Sequence, residues 1–169
     1  MIERSELSER ERKLFDTLVF MTKFLAVGLV FQVILWIYPD TSSLQAGFAV
    51  LINQILDLLG FDFVTRGTYI ISTSVDYVIT QDCLGWKSMM AYIGLMFASS
   101  EDLRAHLKAL AGGLGVIAVA NVVRVVTTIY LSHMDIISWD IIHGLLWKWG
   151  LTAVVLVVWF YWFRYYRRE

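Results

Sequence analysis

The sequence predicts an all-α integral membrane protein: a bundle of four spans plus one interfacial or re-entrant helix, with a small extracytoplasmic β-prone segment. Three observations lead there. Hydrophobic residues make up 58% of 169 residues, charged ones only 17%, and the mean hydropathy is +0.63, more apolar surface than a soluble domain of this size buries. A single proline among long apolar runs favours helices over a barrel, whose strands would show as short alternating segments. Finally, the cations are distributed asymmetrically between the loops. With four spans and both termini cytoplasmic, the inner segments hold Arg4, Arg10, Arg12, Lys13, Arg104, Lys108, Arg164, Arg167 and Arg168, whereas the outer loops hold only Arg66.

The first span is predicted over 18–38, from Leu18 to Tyr38, with Trp36 and Tyr38 as an aromatic belt. Ser8 and Glu11 form a capping box ahead of it. The charged start, "MIERSELSERERK", has no short apolar core and does not read as a removable signal peptide. The stretch 44–60 is apolar but carries Gln45, Asn53, Gln54 and Asp57, and an aspartate at mid-span costs roughly 2.5–3.5 kcal/mol. It is expected to be interfacial, re-entrant or packed against the bundle. Counting it as a fifth span would put "RYYRR" outside and the cysteine inside, inverting the charge rule. Residues 61–82 form an outer segment rich in Val, Ile, Thr and Tyr, with a turn signal at Arg66-Gly67 that predicts a small hairpin. Further spans are predicted over 84–99, 110–131 and 141–163, and the third of the four opens with small residues, "ALAGGLGVIAVA", that permit close helix packing. All of it forms a single multipass domain, 1–169.

No basic cluster interleaved with aromatics points to nucleic acid. The only cysteine, Cys83, excludes an intrachain disulfide framework, a CxxC redox pair and a cysteine-based zinc site, and no metal or cofactor is expected. Its surroundings, "QDCLGWKS", lie where a polar stretch gives way to an apolar one. With four spans Cys83 sits at the outer mouth of one span, Arg124 lies about 10 Å below the outer end of the next, and His143 is near the mouth of the last. A thiol, a guanidinium and an imidazole supply what nucleophilic acyl transfer requires: a nucleophile, a fixed positive charge and a group that accepts and returns a proton.

Each residue also has a plainer explanation. A membrane cysteine is usually a small hydrophobe, though an interfacial position beside Asp82 and Gly85 is wet enough for thiolate chemistry. An arginine away from the helix ends is expensive in lipid and is a functional hypothesis unless it snorkels. Asn121, on the same face, is placed to hydrogen-bond or orient it. Lys87, one turn below Cys83 on the same face, serves either the thiol or interfacial anchoring. His106 and His133 are expected in solvated loops, and Lys148 points to a different side of its helix from His143.

At these residues the chain resembles the exosortase and archaeosortase family of prokaryotic membrane transpeptidases. The resemblance rests on "DCLGWKS" for the cysteine-x-glycine motif, "NVVR" for the asparagine-x-x-arginine motif, and His143 in "IIHGLLWKWG" for the third, basic position, and covers roughly residues 61–150. It implies Cys83, Arg124 and His143 as catalytic residues, with Asp82, Gly85, Lys87 and Asn121 in support. It also implies exported protein substrates that end in a short motif, a transmembrane helix and a basic tail, cut at the outer surface of the cell membrane. The new carboxyl end would pass to an acceptor, with membrane lipid one candidate, or to water. One departure stands out: the family usually has Ser or Thr between the cysteine and the glycine, and here the residue is Leu84. The alternative from another class is a non-catalytic membrane assembly or scaffold protein whose polar residues only hold helices together.

Overall fold

The computed structural model describes residues 8–73, 75–100, 106–134 and 149–165. Helix α1 (Glu9–Ile37) begins at the expected capping box: Ser8 Oγ accepts from the Glu11 amide at 3.4 Å, and Glu11 Oε2 accepts from the Ser8 amide at 2.8 Å. The Ser8 hydroxyl, and after it the backbone, holds the Glu11 carboxyl below its usual range. None of the α1 residues is buried, and Leu18, Leu25 and Leu29 stand exposed around it. A helix this apolar, with none of its residues buried, has lipid as its solvent on the faces that its neighbour leaves open. Together α1 and α4 (Leu107–His133) are the two described helices long and apolar enough to cross a membrane; at 1.5 Å per residue each measures about 40 Å.

Helix α3 (Trp86–Ser99) is short, at about 21 Å. It packs on α1, where Phe31 stacks on Trp86, and on α4 and the apolar α5 (Leu151–Tyr165). The α3/α4 crossing is close because α4 has a glycine at the contact: a Cβ on Gly113 would overlap the Tyr92 hydroxyl. Tyr92 is fully buried there and donates to the Ala109 carbonyl at 3.2 Å. Tyr92, Met96, Ile117, Leu151, Val155 and Trp162 make one core.

A second core lies farther along α4. Helix α2 (Ser42–Leu58) packs against α4, the strands and the turn that carries Cys83, burying Ala49, Ile52 and Leu56. Asp40 accepts from the Ser42 amide at its start, and Ser42 holds that carboxyl below its usual value. Asn53, one of the polar residues that argued against a span, donates to the Phe63 carbonyl at 3.1 Å and so ties α2 to the sheet. Helix α2 is thereby in contact with α4, the sheet and the cysteine turn at once.

The β-prone segment forms the hairpin expected at Arg66-Gly67 and extends it by a third strand. Strands β1 (Val64–Arg66), β2 (Tyr69–Ile71) and β3 (Asp76–Val78) make an antiparallel sheet in sequence order, with Ile70 opposite both Thr65 and Tyr77. Ile70 and Tyr77 face inward, onto the core shared with α2 and with Val125, Val126 and Ile129 of α4.

Three expectations need correction. The helix does not start at Leu84, nor does it run on from Cys83: Gln81–Leu84 is a 3₁₀ turn, and α3 starts only after Gly85. His133 is not in a solvated loop but ends α4, with its ring 4.9 Å from Phe63 and 5.5 Å from Phe61. His106 caps α4 and meets the Trp162 ring edge-on at 5.2 Å. Aromatic rings at both helix ends cover imidazoles that the sequence left in water. His143, Lys148 and the first part of the span expected over 141–163 lie outside the described residues, as do Arg4, Arg104, Arg167 and Arg168.

Candidate active site

Cys83 is the third residue of the 3₁₀ turn and is only 4% exposed. It stands in the wall of a cavity of about 460 Å³ between β3 and the last turns of α4. The turn is closed by the Cys83 amide donating to the Thr80 carbonyl at 3.0 Å. Gly85 follows with φ 72°, the left-handed region that a glycine occupies without steric cost, and α3 begins at the next residue. Cys83 thus stands just ahead of the positive end of a helix dipole, an environment that favours negative charge.

Helix α4 holds the turn from across the sequence. Asn121 is 1% exposed and donates through Nδ2 to the Cys83 carbonyl at 2.8 Å. One turn on, Arg124 is 8% exposed and donates through Nη2 to the Asp82 carbonyl in a long 3.4 Å bond. Among the described residues, Cys83 and Asp82 are acidic groups in electrostatic reach of this guanidinium. Both bonds go to backbone, so α4 fixes the path of the turn whatever side chains flank the cysteine. Asn121 was expected to hydrogen-bond or orient Arg124; the bonds described here place the two side by side on consecutive carbonyls.

Lys87 has a different place from the one the sequence suggested. Because the left-handed Gly85 separates the turn from α3, Cys83 and Lys87 share no helical face. Lys87 Nζ pairs with Asp82 Oδ1 at 2.7 Å and lies 5.6 Å from the Trp86 ring centroid, and both partners are more than half exposed. An ion pair this exposed contributes about 0–1 kcal/mol. The structure therefore brings Cys83, Asp82, Gly85, Asn121 and Arg124 together, and turns the Asp82 carboxylate to the surface with Lys87.

Sequence reasoning missed Thr80, whose Oγ1 lies 3.4 Å from Cys83 Sγ. A hydroxyl three residues before the cysteine is a weak signal in an extended β-prone run. It becomes meaningful only once the 3₁₀ turn folds it back, and it places a hydroxyl beside the thiol in a chain with Leu84 after it.

A family model described as transmembrane exosortase matches residues 9–161, nearly the whole of this architecture. The chain belongs to the transmembrane exosortase family. The match includes α1, the sheet, the cysteine turn and α4, so the family assignment rests on the full arrangement and not on the cysteine motif alone. Exosortases form a cysteine transpeptidase family of membrane proteins. No curated protein and no solved structure matches the chain.

Gly85 offers a direct test of how the turn is held. In Gly85→Ala the left-handed backbone costs about 1–2 kcal/mol, and the new Cβ would stand 2.7 Å from Asn121 Cγ, displacing the amide that holds the Cys83 carbonyl. A lowered unfolding midpoint in detergent and slow Cys83 chemistry are the expected result. Gly112→Ala, on α4 where a Cβ meets nothing within 4 Å, serves as the control that should lose neither.

Proposed function

We propose that this protein is a membrane-embedded cysteine transpeptidase or endopeptidase that cuts the C-terminal sorting tails of exported proteins at the outer surface of the cell membrane. The observation that carries this reading is the backbone clamp on Cys83: a buried arginine and a buried asparagine, 42 and 38 residues away from their partners, fix a turn that presents the chain's only thiol to a cavity. A scaffold has no need to spend an intramembrane arginine on the geometry of a thiol.

In this reading Cys83, as thiolate, attacks the scissile carbonyl carbon. The C–N bond breaks through a tetrahedral intermediate to give a thioester, and the departing amine takes a proton. An acceptor hydroxyl or amine, or water, then attacks the thioester and returns the thiol. Arg124 stabilises the thiolate or the oxyanion by charge and by its forked donors, and His143 exchanges the proton. The Thr80 hydroxyl is a positioning group for the sulfur. Four spans with both termini inside put the cavity outside, and the packing of α2 on the sheet and α4 supports four over five.

The test uses intact cells that produce an exported protein of the same organism with a short motif, an apolar helix and a basic tail at its C-terminus. A hydroxylamine-sensitive adduct joining Cys83 to the shortened substrate is expected. Prior treatment with a membrane-impermeant maleimide should block it, slowly, because the thiol is recessed. No adduct with any such substrate overturns the reading in favour of a scaffold; blocking only after permeabilisation overturns the topology.

A further inference from the structure

The cavity beside Cys83 has one wall made of a strand edge. In an antiparallel ladder, hydrogen-bonded and non-hydrogen-bonded pairs alternate. The Ile79 amide donates to the Thr68 carbonyl at 2.8 Å, and the Ser72 amide to the Val75 carbonyl at 3.3 Å. Ile70–Tyr77 is then the bonded pair between them, while Tyr69–Val78 and Ile71–Asp76 are non-bonded. The N–H and C=O groups of Asp76 and Val78 accordingly point away from β2, and both residues line the cavity. Among the described residues no strand pairs with β3 on that side.

The opposite wall is α4, through Val125, Thr128, Ile129 and Ser132. The two walls have matching lengths. From Val75 to Ile79 an extended chain rises about 13 Å, and from Val125 to Ser132 a helix rises about 10 Å, room for about four extended residues. Cys83 closes one end, level with Arg124; Ser132 and Val75 mark the other, next to the end of α4. Asp62, Arg66 and Asp76 on and beside the sheet put that end in water, so the groove descends toward the membrane as it approaches the thiol.

We propose that the free edge of β3 receives, as a fourth strand, the extended segment of the exported substrate immediately before its scissile bond. This rests on the reading of Cys83 as the nucleophile and adds how the substrate is held. A substrate anchored by a C-terminal helix runs from water into lipid, and β3 also runs toward Cys83, so the added strand is parallel to β3. The outward groups of Asp76 and Val78 bond to every second residue of the guest, and its side chains meet Val125 and Ile129. Recognition through main-chain bonds supplies affinity that tolerates varied sequences, with the side-chain pockets adding preference.

Two measurements test it on the full chain in detergent. The first uses synthetic peptides spanning the cleavage site of the substrate that forms the Cys83 adduct, each N-methylated at one of the four residues before the scissile bond, as competitors of adduct formation by the unaltered protein. Strand addition predicts alternation, with inhibition weakened about tenfold at every second amide and unchanged between. The second uses Val78→Pro, which deletes an outward N–H and no bond to β2, a substitution an edge strand accommodates. Its KM should rise about tenfold with the smaller change in kcat, while iodoacetamide still alkylates Cys83 at the original rate. Uniform sensitivity to N-methylation, with Val78→Pro kinetics within about twofold of the original, overturns strand addition and leaves the groove to a lipid chain or to another part of this protein. If the unaltered protein forms no adduct at all, the nucleophile reading itself falls, which is a separate outcome.

Discussion

Cys83→Ala is expected to leave no measurable tail cleavage while the protein still inserts and folds. The sulfur is buried, but it is a small group in a wall that faces a cavity, and its removal should cost about 1 kcal/mol, in the ordinary range for a single substitution. The turn keeps its shape because its restraints are backbone bonds: Cys83 amide to Thr80 carbonyl, and Asn121 to the Cys83 carbonyl. Cys83→Ser should be nearly as inactive. A hydroxyl is far less acidic than a thiol, and a neighbouring guanidinium does not turn it into an alkoxide at neutral pH. The measurement is the ratio of full-length to cut substrate in membranes that contain equal amounts of each folded variant. Full cleavage by Cys83→Ala would remove the mechanism, whatever the family.

The second large effect belongs to Arg124. Arginine stays protonated at any physiological pH, so it acts through charge and the geometry of its fork, not by moving a proton. Arg124→Lys keeps the charge, gives up the planar pair of donors, and shortens the reach toward the Asp82 carbonyl. If the fork serves the oxyanion, losing one such donor costs about 2.7–4 kcal/mol, or roughly 10²–10³ in rate. The pH profile separates its role from that of His143. Histidine titrates near neutrality, so His143→Gln should lose the acid limb of the cleavage profile together with most activity, whereas the residual activity of Arg124→Lys should keep that limb. An unchanged profile in His143→Gln would leave Arg124 to activate a thiolate that needs no histidine.

The parts of the fold governed by local periodicity were readable from the chain. The apolar run of α1, its Ser8–Glu11 cap, the small residues near the start of α4 and the Arg66-Gly67 turn each follow from neighbouring residues. The convergence of Asn121 and Arg124 on the cysteine region was also legible, because helical rise fixes depth once a span is placed. What they bond to was not. Carbonyl partners carry no side-chain signature, so nothing in "NVVR" says that it grips the backbone of residues 82 and 83. The same limit hid the Thr80 contact and misplaced Lys87, since both depend on a left-handed residue that ends a 3₁₀ turn where an uninterrupted helix was assumed. The imidazoles of His106 and His133 were misjudged because their aromatic partners are distant in sequence.

The separation between the cysteine turn and the residues that hold it also orders events in time. Asn121 and Arg124 follow their partners by 38 and 42 residues. At about 5–20 residues per second, the ribosome completes Cys83 some seconds before it completes the side chains that shape its turn. During that interval the turn has neither the asparagine nor the guanidinium, and it gains both only when α4 packs beside α3. The order of synthesis thus makes the packing of α4 the step that completes the cysteine turn, because the two side chains that hold its carbonyls arrive last.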